Sequence, residues 1–174
     1  MGENTLTELI SEKEIMKKVM EMASSIERDF IGKELTVIAI LKGGFVFAAD
    51  LVRNINLPLE IAFMAVSSYG ASAYSSGELK IRYDIDISVE GKNIIIVEDI
   101  IDTGLTMNAL KEHIMNKGAC SVKICAVFDK PDRRVADVDI DYKGFTIPNE
   151  FVVGYGLDYN NKYRNLKGLY KITL

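Results

Sequence analysis

The chain has 174 residues, 48 % of them apolar and 26 % charged, which is an ordinary soluble composition with room for one core and a small subdomain. Its formal net charge of −4 excludes a global basic field for holding nucleic acid, so an anionic ligand must be bound by local cations, backbone N–H groups or a metal. No apolar run approaches the roughly 20 residues that span a bilayer, so no membrane partner is expected either.

Residues 1–15 (MGENTLTELISEKEI) are polar and acidic, unlike a signal or transit peptide, and position 6 is Leu rather than the Ser or Thr of a myristoylation signal. A cytoplasmic protein is expected. Ser11-Glu12-Lys13-Glu14 is a capping-box pattern, and Ile15, Val19, Met22, Ile26 and Phe30 follow at helical spacing. Leu35 to Leu41 reads as a buried strand ending in Lys42-Gly43-Gly44, with a helix from Phe45 to Ile55 after it. Leu59 to Val66 is a second strand. Residues 67–77 (SSYGASAYSSG) carry no charge and no large aliphatic side chain, the composition of a flexible loop, and Glu78 to Ile87 alternates as a strand returning from it. Lys92 to Val97 is a central strand running into Glu98-Asp99-Ile100-Ile101-Asp102-Thr103-Gly104. A helix then continues to about Lys117, with Gly118 at C′. Ser121 to Phe128 is the next buried strand, and short strands and loops complete the chain. Cys120 and Cys125 fall on opposite faces of a strand, which disfavours a disulfide, and no Cys/His cluster offers a zinc site; both read as reduced packing residues.

Strands alternating with helices predict an α/β fold with a mostly parallel central sheet flanked by helices. Ligands of such sheets sit at the carboxyl ends of the strands. The most informative of these ends is Glu98–Thr106. An apolar strand delivers two adjacent carboxylates, then Asp102, then Thr103-Gly104-Leu105-Thr106 opening a helix. The loop and helix N-terminus offer unpaired N–H groups and a positive dipole end for a phosphate. Carboxylates beside a phosphate would repel it unless they hold Mg²⁺, grip sugar hydroxyls or act as a base. A sugar phosphate fits both halves of the pattern.

Val97–Thr106 (VEDIIDTGLT) resembles the phosphoribosyl-pyrophosphate motif of the type I phosphoribosyltransferases. Leu41-Lys42-Gly43-Gly44, Ser67-Ser68-Tyr69-Gly70, Asp129-Lys130-Pro131 and the run Phe151 to Tyr159 are similar to the 6-oxopurine, hypoxanthine–guanine branch of that family. In order and spacing the resemblance covers about residues 10–174. It implies one phosphoribosyltransferase domain over 1–174, with a small hood formed by parts of the N- and C-terminal segments and a flexible lid loop. It further implies Mg²⁺ as cofactor, a purine base and phosphoribosyl pyrophosphate as substrates, and a homodimer or homotetramer.

The resemblance also implies roles for single residues. Lys42 and Gly43 belong to a pyrophosphate loop, with a cis peptide between Leu41 and Lys42. From the residues alone this is a cation beside glycines that permit close backbone approach, or a plain β–α turn. Ser68 and Tyr69 close over the pyrophosphate. Glu98 and Asp99 hold the ribose hydroxyls, directly or through the metal, Asp102 is the catalytic base, and Thr103, Gly104, Leu105 and Thr106 hold the 5′-phosphate. Lys130 donates to the purine O6, a preference consistent with a side chain that has donors only. Phe151 stacks on the base and the Val152 backbone reads its edge, although a Phe-Val-Val run is also what a core strand looks like. Asp158 lies on Mg²⁺ and the guanine edge, and Arg164 on pyrophosphate. Arg133 and Arg134 are expected in surface or interface salt bridges, Lys162 as an exposed bystander, and His113 on a helix surface. The implied reaction gives IMP or GMP plus pyrophosphate. The alternatives are a xanthine-preferring enzyme or a non-catalytic nucleotide-sensing regulator on the same fold.

Overall fold

In the computed structural model, which describes residues 5–67 and 80–173, the capping box starts helix α1 (Glu12–Phe30). Glu14 accepts from the Ser11 N–H at 2.9 Å, and Ser11 Oγ accepts from the Glu14 N–H at 3.4 Å. All five apolar residues of the expected stripe, Ile15, Val19, Met22, Ile26 and Phe30, are buried.

The main sheet contains β2 (Leu35–Leu41), β3 (Leu59–Ser67), β4 (Lys80–Tyr83), β5 (Asn93–Ile101), β6 (Ser121–Asp129) and β7 (Tyr142–Thr146), in the order β4-β3-β2-β5-β6-β7. Every pairing is parallel except that of β3 with β4. Helices α1 and α2 (Phe45–Arg53) cover one face, packing on Val37, Ala39, Ile95, Val97, Cys125 and Val127. Helix α3 (Leu105–Asn116) covers the other, setting Met107, Leu110 and Ile114 on Ile38, Ile40, Ile94, Ile96 and Ile124. Burial on both faces explains why these strands read as continuous apolar runs rather than alternating ones. The strand order reverses between β2 and β5, which makes the crevice beyond their carboxyl ends the switch point where open α/β sheets bind ligands.

Several boundaries differ from the sequence expectation. Strand β5 continues past Val97 to Ile101, because Glu98, Ile100 and Ile101 keep their pairing with Ala126, Phe128 and Asp129. Helix α2 stops at Arg53, with Asn54 as its cap. Strand β4 ends at Tyr83, because the Asp84 carboxylate turns back to its neighbour's N–H (Ile85, 2.8 Å) and pairs with His113 and Lys117. Gly118 does occupy a left-handed conformation after α3, at φ 91°.

A second sheet joins the chain ends in the order β1-β9-β8, from β1 (Thr5–Ile10), β8 (Val152–Val153) and β9 (Leu169–Thr173). Thr5 pairs with Thr173 and Val152 with Lys171, all antiparallel. Both cysteines are free, Cys125 buried and Cys120 exposed. No described helix is long and apolar enough to cross a membrane.

Candidate active site

The loop after β2 and the end of β5 meet directly. The Leu41–Lys42 peptide is cis, and Lys42 is exposed at the mouth. A Cβ on Gly43 would overlap the Asp99 carboxylate, and a Cβ on Gly156 would overlap the Gly43 carbonyl. Glycine is therefore required twice where three chain segments converge.

At the end of β5, Glu98 is half-buried and Asp99 only 6 % exposed. Glu98 Oε1 accepts from the Asp99 N–H at 3.1 Å, and Asp99 Oδ1 from the Ile100 N–H at 2.8 Å. Burial raises the pKa of Asp99. Burial, then the adjacent Asp99 charge, raises that of Glu98 well above the usual carboxylate range. Two abutting carboxylates in this state are a hard-oxygen donor pair that a divalent cation would relieve. Among the described residues no group of three or more His, Cys, Asp or Glu forms a complete metal cage. A donor pair of this kind suits Mg²⁺, which completes its shell with phosphate oxygens and water.

Past β5 the chain turns at Gly104, the N-cap of α3, at φ 86° and with no side-chain capping bond. The N–H groups of the first helical turn have no partner inside the helix, leaving an anion site at its positive end. Asp102 flanks it. Its Oδ2 lies 3.3 Å from Arg133 Nη1, and its Oδ1 is buried without a partner among the described residues.

Lys130 follows β6 and is 6 % exposed. Its Nζ donates to the Glu150 carbonyl at 2.9 Å and its N–H to the Ile101 carbonyl at 2.9 Å. Burial lowers its pKa, opposed by the negative charge of Asp102. Next to Glu150 stands Phe151, 51 % exposed, its ring edge-on to Tyr159 at 5.7 Å. The side chain of Val152 is buried in β8, so what it can offer a ligand is its backbone.

The C-terminal loop closes the ring of contacts. Gly154, Tyr155 and Gly156 all have positive φ (98°, 48° and 99°), and the Tyr155 hydroxyl donates to Asp50 of α2 at 2.9 Å. Arg164 donates to the Gly156 carbonyl at 2.7 Å and pairs with Asp158 at 2.6 Å. Its positive charge also favours the charged form of Asp99, against the larger effect of burial.

The structure thus sets Gly43 against Asp99, Arg164 against Asp158 and Gly156, and Arg133 against Asp102. Ser68 and Tyr69 lie outside the described residues. Lys162 is exposed, as expected, whereas His113 is half-buried and bound to Asp84 at 3.2 Å. Arg133 is exposed and forms a salt bridge as expected, whereas Arg134 is half-buried. Arg133 pairs with Asp102, and Arg134 with buried Asp129 while donating to the Asp102 carbonyl at 3.0 Å. Gly156 and Tyr155 lie in the run read as similar to the family but are given no role of their own by it; two glycines flanking one tyrosine are the available signal of a forced turn.

Residues 5–160 match the family model of the phosphoribosyl transferase domain. The chain is 51 % identical over 158 residues to a hypoxanthine-guanine phosphoribosyltransferase of Bacillus subtilis, covering 91 % of this chain and 88 % of that one. A Streptococcus thermophilus protein of the same name is 46 % identical over the same shares. A solved hypoxanthine-guanine phosphoribosyltransferase of Bacillus anthracis superposes with a TM-score of 0.92 at 49 % identity, over 96 % of this chain and 98 % of that one. With a matching model over most of its length and such relatives, this chain belongs to the phosphoribosyl transferase domain family.

Proposed function

We propose that the chain is a purine-salvage hypoxanthine–guanine phosphoribosyltransferase. It transfers the 5-phosphoribosyl group of phosphoribosyl pyrophosphate to hypoxanthine or guanine, giving IMP or GMP and pyrophosphate. The observation that carries this reading is the junction at the switch point: two abutting carboxylates, a helix N-terminus without a side-chain cap and an Asp102 carboxyl oxygen with no partner among the described residues, all at the end of one strand.

A purine nitrogen attacks C1 of the ribose as the bond to pyrophosphate breaks. The N–H groups of Thr103 to Thr106 hold the 5′-phosphate, fixing the ribose relative to Glu98 and Asp99. Glu98, Asp99 and Asp158 would hold Mg²⁺, which when bound neutralises charge on the leaving pyrophosphate. Lys42 and Arg164 supply fixed positive charge to the same group. Lys130, whose Nζ donates to the Glu150 carbonyl, would give a further N–H to a purine O6 beside the exposed Phe151 ring. Asp102 accepts the proton that the attacking purine must lose.

The small β1-β9-β8 sheet serves as a hood over the purine, since it carries Val152 next to Phe151. A cytoplasmic homodimer or homotetramer is the proposed state, supported by exposed apolar side chains at Phe45, Ile61 and Phe63. Incubation with labelled phosphoribosyl pyrophosphate, Mg²⁺ and single bases tests the function. IMP and GMP should form. Product from xanthine alone would favour the xanthine-preferring reading, and nucleotide binding without product from any base would favour a non-catalytic regulator.

A further inference from the structure

Arg134 makes no direct claim on a substrate, yet it is wired to the back of the phosphate loop. We infer that Arg134, seated on Asp129, is a positioning residue that aims the N–H groups of the loop Asp102–Gly104 at the phosphate. The inference rests on the phosphoribosyltransferase reading of that loop.

Asp129 ends β6 with its side chain 6 % exposed, and both of its oxygens are engaged, Oδ1 by Arg134 Nη2 and Oδ2 by Lys143 at 3.3 Å. From that anchor Arg134 Nε donates to the Asp102 carbonyl at 3.0 Å. The residues that follow hold the next carbonyl: Val135 and Ala136 both donate to Thr103 O, at 2.9 and 3.0 Å. The strap also fills the space behind the loop, since a Cβ on Gly104 would overlap the Ala136 carbonyl and crowd Arg134 Cδ. Asn108 of α3 completes it by donating to Asp137 O at 2.8 Å.

In a trans peptide the C=O and the following N–H point in opposite directions. Tying down the Asp102 and Thr103 carbonyls therefore turns the Thr103 and Gly104 N–H groups away from the strap, to the side where a phosphate would sit. Arg suits this task because one planar fork reaches a carboxylate and a carbonyl together. A Lys ammonium satisfies Asp129 but cannot span both.

Titrating IMP and inosine, which differ only by the 5′-phosphate, into wild type, Arg134→Lys and Arg134→Leu tests the inference, with melting temperature measured on each. Arg134→Lys should fold with a near-wild-type Tm, bind IMP about tenfold more weakly and bind inosine unchanged. Arg134→Leu should lose more IMP affinity; should it fail to fold, Arg134→Lys decides. Unchanged IMP affinity in Arg134→Lys, or equal losses for IMP and inosine, overturns the inference while leaving the activity intact. Wild-type protein that does not bind IMP contradicts the underlying reading as well.

Discussion

Arg133 Nη1 stands 3.3 Å from one carboxyl oxygen of Asp102, while the other oxygen is buried and unpartnered among the described residues. A buried carboxylate oxygen without a partner is uncommon, and Asp102 is the carboxylate proposed as the base. Asp102→Asn keeps the shape but cannot accept a proton. General-base help is typically worth ~10²–10⁴ in rate, and we expect kcat to fall by at least about tenfold with donor binding nearly intact. Steady-state kinetics with direct titration of phosphoribosyl pyrophosphate checks this. Retained kcat with collapsed donor affinity would make Asp102 a ribose or metal ligand instead.

Lys130→Met removes a buried donor and keeps much of the chain length. Hypoxanthine affinity should fall by about 1.5–3 kcal/mol, the worth of a hydrogen bond from a charged group. Equilibrium binding of hypoxanthine in the presence of pyrophosphate measures it, and unchanged affinity would remove Lys130 from the purine site.

Gly43→Ala drives a methyl group into the Asp99 carboxylate. Displacing that group by about an ångström should cost on the order of 10²-fold in kcat/KM. A larger requirement for Mg²⁺ should accompany the loss, read from a metal titration of the activity. Wild-type kinetics in this variant would show that the contact between the two loops is dispensable.

Far from the site, Asp29 accepts from the Tyr142 hydroxyl at 2.6 Å and from Lys123 at 3.1 Å, and these bonds, the tyrosine's first, hold its pKa below the usual value. A depressed folded-state pKa contributes stability that is fully present above the unfolded value of about 3.9 and is lost as pH falls through the folded one. Asp29→Asn should therefore melt below wild type at pH 7, with the gap closing as pH drops below about 4. A gap that stays constant with pH would assign the loss to packing.

Much of this was legible in the sequence, and the reason is locality. Ser11 to Phe30 carries its own cap and stripe, and Val97–Thr106 holds two carboxylates, the third and the phosphate loop in one unbroken run. What escaped depends on residues distant in the chain. Thr5–Ile10 looks like a polar tail and becomes a strand only by pairing with Leu169–Thr173 at the other end. Arg133 and Arg134 look like ordinary surface charge until the chain after β6 folds back over Asp102 and Gly104. No local pattern announces that Gly156 must clear the Gly43 carbonyl.

The central claim is that the mouth between β2 and β5 holds a purine nucleotide with its phosphate on the start of α3. A crystal structure of the complex with IMP tests it most directly. The account predicts the 5′-phosphate on the N–H groups of Thr103 to Thr106, the ribose hydroxyls facing Glu98 and Asp99, and O6 within hydrogen-bond reach of Lys130 with the base against Phe151. A phosphate bound elsewhere, with the loop Asp102–Thr106 empty, would contradict it.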